Sequence, residues 1–368
     1  MVIFGTLLTT LNKPMFAAAG GVYATFGTVA ALYWITAGKV FDRMSKGIRE
    51  APGKALIGDL AAVGGDRPEG AFGLRQALAT LGALVGSAVA AAAFALSGQN
   101  YVATFALASI PAAAALAITV TAFGPMARES AAAKKAAAPG KAVDDLAGRT
   151  LRQKAAALVA AMTPAYWQAL AVVSLLYFAR FDASFITLRA KTILPRASLP
   201  ALTSVMMVVQ AALAAPAGLR AKRSLADRNA VLLTGFAAML AADAAFALLP
   251  TAGGMFLGAA CVGAHMALTH GVTLAMIASY IPTGAVPGVG KISGTCWSFT
   301  DFVFGIILAY SNSLAGRLSD ATIKAGAGNV GCFVGGAAAT VASGLALVAF
   351  TKWGDLGKEE AVVVRKKA

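Results

Sequence analysis

Long apolar segments separated by short polar ones make up most of this chain. A helix that crosses a membrane needs about 20 mostly apolar residues. Ten segments meet that requirement: 3–19, 24–58, 70–97, 101–126, 166–189, 198–219, 229–249, 252–281, 290–316 and 325–350. The polar stretch 128–154, between the fourth and fifth segments, is rich in Ala and Lys and predicts a flexible linker with some helix. The pattern therefore predicts an all-α polytopic membrane protein with four spans before the linker and six after it.

The composition agrees with this interpretation and excludes several classes of function. Of the 368 residues 58% are hydrophobic and 13% are charged, and the mean hydropathy is +0.73. The net charge of +15 comes from basic residues between apolar segments, which indicates membrane topology rather than nucleic-acid binding. The three cysteines lie far apart, and neither a metal-ligand spacing nor a nucleotide or hydrolase fingerprint occurs. No metal, cofactor or enzymatic activity is predicted.

The basic residues between the spans predict the orientation of the chain. With the linker placed in the cytoplasm, the linker, the loop 220–228 and the C-terminal tail on that side carry sixteen Lys and Arg residues, and the loops on the other side carry five. Cytoplasmic regions carry the excess of positive charge, so both termini are predicted to be cytoplasmic. The cluster Arg189, Lys191 and Arg196 is the main discordance. The predicted domains are an N-terminal half, a cytoplasmic linker, a C-terminal half and a cytoplasmic tail: 1–127, 128–160, 161–351 and 352–368.

The segment KVFDRMSKGIREAPGK, residues 39–54, carries seven charges directly after an apolar run. At 100° per residue these charges fall within an arc of about 140° on a helix, and we call them the charged stripe: Lys39, Asp42, Arg43, Lys46, Arg49, Glu50 and Lys54. The opposite side carries apolar or small residues: Val40, Met44, Gly47, Ile48, Ala51 and Ala55. The spacing of four predicts ion pairs of Lys46 with Asp42 and with Glu50, and Pro52 predicts a kink or the last turns of the helix.

Periodicity alone leaves two interpretations of this segment open. It could be an amphipathic helix lying on the cytoplasmic membrane surface. It could equally be a transmembrane helix whose charged stripe faces an aqueous cavity, since charges within a membrane usually face an interior path.

Five segments resemble, in order, a branch of the major facilitator superfamily of transporters. DRMSKGIREAPGKALIGD is similar to the family pattern D-R-x-G-K-G-x-R-x-A-P-R-D-A-L, and EGAFGLRQALATLGALVG continues the match into the next helix. YFARFDASFITLRAK, AAPAGL and FLGAACVGAHMALTHGV resemble the same branch in the second half. The resemblance implies a two-half helical bundle in which the charged stripe faces a central cavity. It also implies that the first two of twelve family helices are absent, which accounts for the four-plus-six pattern.

The sequence departs from the family pattern at several positions. Lys39 stands where the family often has an arginine associated with proton coupling, and lysine lacks the planar guanidinium fork. Of the second-half gating motif, Pro216 and Gly218 remain, but Lys222 replaces the expected acid. The loss of that acid puts ordinary gating in doubt.

Further charged residues occur within the predicted spans. Arg180 and Asp182 lie in the middle of a span, where a charge costs at least about 2.5 kcal/mol, so we assign them to the cavity with Lys39, Asp42, Arg43, Lys46 and Arg49. The candidates for proton coupling are Glu50, Asp301, His265 and His270. Asp243 is expected to be buried and paired. The GxxxG segments at Gly82–Gly86 and Gly331–Gly335 predict close helix packing.

The sequence thus predicts a secondary transporter that moves a small organic solute, favouring an anion, by alternating access with a proton or another coupling ion. The expected partners are this solute and the lipid bilayer, and the expected state is a monomer. One alternative is proton-coupled efflux of amphiphilic cations, with Asp182 and Asp301 recognising the substrate. A second alternative, motivated by the absent helices and the degraded motif, is a truncated membrane protein that does not transport.

Overall fold

The structure, a computed structural model, describes residues 1–64, 67–98, 100–136, 151–195, 198–282, 285–286 and 290–358. In this part of the chain the protein is helical apart from the two-residue strands β1 (Ala285–Val286) and β2 (Gly290–Lys291). The helices are α1 (Val2–Ala17), α2 (Ala19–Val63), α3 (Glu69–Leu96), α4 (Tyr101–Ala136), α5 (Leu151–Ala161), α6 (Pro164–Ala179), α7 (Ala183–Ala190), α8 (Leu199–Ala221), α9 (Leu225–Leu248), α10 (Ala252–Tyr280), α11 (Ser293–Lys324) and α12 (Gly331–Lys352).

Each of the ten predicted segments contains helix, and the all-α prediction is confirmed. Seven helical stretches within the described ranges are long and apolar enough to cross a membrane: 69–96, 101–125, 164–190, 199–221, 225–248, 252–280 and 331–352. The bent pair formed by α1 and α2 would be an eighth. The protein is therefore a multi-pass membrane protein. Within the described ranges, fewer than the ten predicted spans are long and apolar enough to cross a membrane.

Two segment boundaries differ from the prediction for local reasons. Helix α2 continues for eleven residues beyond Pro52, and its one non-helical residue is Gly27, whose φ of 80° favours glycine. The predicted span at 166–189 is divided into α6 and α7 by the extended residues 180–182. Residues 137–150 of the predicted linker and 359–368 of the predicted tail lie outside the described residues, and α4 extends ten residues into the linker region beyond position 126.

The chain forms two compact units that alternate along the sequence, whereas the predicted halves are consecutive. Unit 1 comprises 1–56, 85–154 and 287–290, and unit 2 comprises 57–84, 155–286 and 291–368. In unit 1, α1 packs against α4, where the Thr10 hydroxyl donates to the Ala112 carbonyl over 3.2 Å. The indole Nε1–H of Trp34 on α2 donates to the Met15 carbonyl over 2.8 Å, which fixes α1 against α2.

Unit 2 has α10 at its centre, with α8 and α9 packed against it and α12 packed against α6 and α9. One apolar cluster in this unit includes Phe246, Met255 and Phe333, all almost completely buried. Bonds between side chains and distant groups add specificity. The Tyr166 hydroxyl lies 2.9 Å from that of Thr300, and the Ser343 hydroxyl donates to the Val172 carbonyl over 2.9 Å.

Glycines permit close approach of helices at two crossings in unit 2. A Cβ placed on Gly73 of α3 would lie 2.7 Å from the Cα of Gly218 on α8, closer than any side chain tolerates. A Cβ on Gly271 of α10 would lie 3.0 Å from the Phe72 carbonyl oxygen. The first turns of α3 are thus held in backbone contact with α8 and α10.

Candidate functional site

The charged stripe lies on a continuous helix, because residues 39–54 belong to α2. Its apolar side is exposed at the start, with Val40 and Met44 at 55% and 60% of their full accessibility, and buried toward its end, at Ala51 and Ala55. The stripe becomes less exposed along the helix, from Lys39, which is exposed, to Lys54, which is buried. Both sides of the helix therefore become more buried toward its C-terminal part, and the two interpretations of the charged stripe stay open.

Helix α1 covers part of the charged stripe within unit 1. The fully buried Asn12 donates from Nδ2 to the Asp42 carboxylate over 3.0 Å. Gly5 lies against Arg49, since a Cβ on Gly5 would come within 2.8 Å of the Arg49 Cβ. The predicted pair of Lys46 with Asp42 forms at 3.4 Å. The second predicted pair, Lys46 with Glu50, is absent from the described ion pairs, because Lys46 turns back toward Asp42 instead.

Arg180 lies at the break between α6 and α7 in unit 2. The chain leaves helical geometry at Arg180, with φ −95° and ψ 66°, and α7 begins again after Asp182. The Asp182 carboxylate accepts from the Ser184 backbone N–H over 2.8 Å, and its own N–H donates to the Asn312 side chain over 2.7 Å. These bonds satisfy backbone groups that the interrupted helix leaves without helical partners.

The guanidinium of Arg180 is surrounded by neutral groups. Its Nε–H donates to Nε2 of His265 over 3.2 Å, and its Nη2 donates to the Thr269 hydroxyl. Its Cζ lies 5.2 Å from the centre of the Tyr177 ring, within range of a cation–π contact. Within the described ranges no carboxylate lies within 4.0 Å of it. Arg180 is therefore a cation without an acidic partner among the described residues, in a stretch, 164–190, that is long and apolar enough to cross a membrane.

Of the predicted proton carriers, His265 is the one that the structure places in contact with Arg180. His265 is almost completely buried, and its Nδ1 lies 2.9 Å from the Gly235 carbonyl oxygen. His270, on the same helix, is half-buried, as is Asp301 on α11, and both make further contacts. Asp182 is exposed and caps α7, so its carboxylate is already engaged.

The remnant of the gating motif has a packing role in unit 2. Gly218 forms the close crossing of α8 with α3 described above, while Pro216 lies exposed within α8. Of the two GxxxG segments, Gly335 packs against Leu318, with 2.6 Å between a Cβ placed there and the leucine Cδ1. The prediction of close packing is wrong for Gly82 and Gly86, whose added Cβ atoms would meet nothing within 4 Å.

Two buried charged residues on α9 are placed differently from the sequence-based expectation. Asp243 is buried as expected, at 2% exposure, but the expected pairing is wrong for the part of the chain that the structure describes, where neither carboxylate oxygen has a hydrogen-bond partner. Arg228, counted among the cytoplasmic loop charges, is 1% exposed and donates to the Tyr280 hydroxyl over 3.2 Å. A signal for Arg228 was present, because it shares a helix face with the buried Val231, Leu232 and Gly235.

Comparison with known proteins adds no relative to this picture. No protein-family model matches the chain, and no curated protein is similar to it.

Proposed function

We propose that this protein is a secondary transporter of the major facilitator type that moves a small organic anion, with Arg180 as an anion contact. The observation that carries the proposal is the uncompensated guanidinium at the α6–α7 break. A charge is expensive within a membrane unless it is paired or faces a polar path. With neutral groups as its only described contacts, Arg180 would gain most from a carboxylate or phosphate, which its planar fork binds well.

The broken helix supports the same proposal. Transporters bind substrates at interrupted helices near the middle of the membrane, where backbone and side-chain groups are freed to face a cavity. Residues 180–182 interrupt the stretch 164–190 between the sixteen residues of α6 and the eight residues of α7, and Arg180 is the first residue of this break. Separately, in unit 1, α2 carries the partly or fully buried cations Lys46, Arg49 and Lys54. The resemblance of residues 42–59 to the family signature agrees with this class of function.

The alternative of cation efflux has less support. It requires Asp182 to recognise the substrate, but the carboxylate of Asp182 accepts the backbone N–H of Ser184 and holds the start of α7. A cationic substrate would also be repelled by Arg180, which follows Tyr177 by one helical turn and immediately precedes the break.

Anion uptake into proteoliposomes tests the proposal. The purified full chain would be reconstituted, and uptake of labelled phosphate, succinate and benzoate would be measured with and without a pH gradient. Arg180→Gln should reduce uptake on the order of 10- to 100-fold, the value of one lost charge-assisted contact. Arg317→Gln removes the same charge from an exposed position on α11 and serves as the control.

The outcomes separate the candidate functions. Uptake of one of these anions that is lost in Arg180→Gln and retained in Arg317→Gln supports the proposal. Equal uptake by the wild type and by Arg180→Gln contradicts the role of Arg180. Export of amphiphilic cations with no anion uptake would favour the efflux alternative.

A further inference from the structure

Asp243, which the sequence analysis expected to be buried and paired, is one of two acids that are almost completely buried in the described part of unit 2, the other being Glu69 at the start of α3. Asp243 lies on α9, five residues before the helix ends, and among the described residues neither of its enclosed carboxylate oxygens has a hydrogen-bond donor. Helix α12 approaches it at Gly336, where an added Cβ would lie 3.2 Å from Oδ2 and 3.5 Å from Oδ1. The carboxyl group is therefore tightly enclosed by backbone and apolar side chains.

Aromatic rings surround this part of α9. Cε1 of Phe181 lies 3.0 Å from the same added Cβ position on Gly336 that the Asp243 carboxylate approaches. The ring centres of Phe181 and Phe333 are 5.6 Å apart, and those of Phe246 and Phe333 are 5.1 Å apart. Such surroundings strongly disfavour an ionised carboxylate without donors and disfavour a neutral carboxyl far less. The packing is thus compatible with a bound proton and is too close for a hydrated cation.

The other charged and titratable groups on the neighbouring helices do not neutralise Asp243. Arg189 on α7 donates to the Phe246 carbonyl over 3.0 Å, and His265 on α10 is held by Arg180 and Gly235. Cys261 on α10 and Cys332 on α12 are thiols, and the thiol of Cys332 interacts electrostatically with Asp243. A proton is therefore the simplest species that removes the charge of this carboxylate.

Phe181 connects this carboxyl group to the helix break. It immediately follows Arg180 and precedes Asp182, so it belongs to the non-helical residues that place Arg180. Its ring reaches Gly336, the glycine in contact with Asp243. Ionisation of Asp243 would draw water or a donor toward the carboxylate and displace the ring of Phe181. A displacement of Phe181 would in turn move Arg180, because the two residues are adjacent in the chain.

We propose that Asp243 is a proton-binding site whose occupancy is coupled, through Phe181, to anion binding at Arg180. The coupling rests on the proposed function, whereas proton binding by Asp243 does not. In this mechanism the proton is the coupling ion predicted from the sequence, and Asp243 takes the role assigned there to Glu50, Asp301, His265 and His270. The neutral carboxyl is the form that the packed arrangement of α7, α9 and α12 accommodates.

Infrared difference spectroscopy of the reconstituted full chain tests proton binding directly. The wild type should show the C=O stretching band of a protonated carboxyl that weakens as the pH is raised. Asp243→Asn should lose that band. Asp320→Asn, which makes the same change at an exposed position on α11, should retain it. An unchanged band in Asp243→Asn, or a band that does not respond to pH, would overturn the proposal.

A chemical label covers the case in which Asp243→Asn does not fold. A hydrophobic carbodiimide adds to protonated carboxyl groups in apolar surroundings, and mass spectrometry of the unmutated chain locates the adduct. Labelling of Asp243 well above that of Asp320, decreasing as the pH rises, is the expected result. Labelling of Asp243 no greater than that of Asp320 would overturn the proposal.

Coupling is measured by calorimetry with succinate and inorganic phosphate as the probes. Titrations in buffers of different ionisation enthalpy give the number of protons bound with the anion. This number should be nonzero for the wild type and for Asp320→Asn, and it should fall to zero for Asp243→Asn. Equal proton uptake by the wild type and by Asp243→Asn would overturn the coupling. Absence of anion binding to every variant would contradict the proposed function and the coupling together, leaving the infrared result to decide on proton binding.

Discussion

Arg180 donates its Nε–H to Nε2 of His265 over 3.2 Å, so this imidazole nitrogen is an acceptor and carries no proton. The proton of the ring is then on Nδ1, which lies 2.9 Å from the Gly235 carbonyl oxygen and donates to it. His265 is thus a neutral imidazole that orients Arg180. A second proton would replace the acceptor at Nε2 with a donor facing the guanidinium, so His265 is a poor proton carrier in this state.

This assignment predicts that His265 contributes to stability and not to the pH dependence of transport. His265→Ala leaves the Arg180 Nε–H and the Gly235 carbonyl without partners and should lower the free energy of unfolding by roughly 1–3 kcal/mol for each group. His265→Gln retains an acceptor and should lose less. Thermal unfolding in detergent measures both effects. A flattened pH profile of uptake in His265→Gln would instead identify the histidine as a proton carrier.

The geometry of the guanidinium predicts different effects of two substitutions at position 180. Arg180→Lys keeps the positive charge but loses the planar fork that holds His265 and Thr269 at once. We expect the apparent KM for the anion to rise about tenfold for Arg180→Lys and by a larger factor for Arg180→Gln. Initial uptake rates over a range of anion concentrations measure the difference. Equal KM values for Arg180→Lys and the wild type would mean that charge alone determines binding.

The close crossing of α3 and α8 predicts that even a methyl side chain at Gly73 lowers the stability of the protein. In Gly73→Ala the new Cβ would lie 2.7 Å from the Cα of Gly218, so the two backbones must separate. The free energy of unfolding should fall by about 1–3 kcal/mol, as for other overpacked sites. Gly82→Ala on the same helix meets nothing within 4 Å and should be neutral or slightly stabilising. Thermal unfolding of the two variants, measured side by side, checks this contrast.

Asp42 has two partners, Asn12 on α1 and Lys46 on α2. We expect their removal to lower the free energy of unfolding by different amounts. Asn12 is fully buried, and Asn12→Ala should cost about 1–3 kcal/mol because a charge-assisted bond to the carboxylate is lost. The Lys46 side chain is 42% exposed, so Lys46→Ala should cost less than about 1 kcal/mol. Unfolding monitored by Trp fluorescence measures both variants. A larger loss for Lys46→Ala would show that the ion pair is the principal contact.

Local periodicity predicts the helices well but does not predict their interruptions. The spacing of charges in residues 39–54 identifies a continuous helix, because helical sorting of side chains depends on neighbours three and four positions away. The break at Arg180 follows from contacts with His265 and Asn312, which are more than 80 residues distant. A short stretch of sequence around Arg180 contains neither residue, so the break between α6 and α7 cannot be predicted from it.

Asp243 shows the same dependence on distant residues. Its burial could be predicted from its place in an apolar helix, and a partner was expected because buried charges usually have one. Whether it has a partner depends on α12, which presents Gly336 and no donor side chain to its carboxylate. Arg228 could have been recognised as buried, because the residues three, four and seven positions after it are apolar or small and lie on one face.

The bond between Arg228 and the Leu356 carbonyl has a consequence for synthesis on the ribosome. Nη2 of Arg228 lies 3.4 Å from this carbonyl oxygen, and the next residue toward the N-terminus, Asp355, donates its N–H to the Gln168 side chain over 2.8 Å. Helices α6 and α9 emerge long before residues 355 and 356 are translated. Until those residues emerge, Arg228 lacks one of its acceptors, so the packing of α6 and α9 is completed only after α12 has been synthesised.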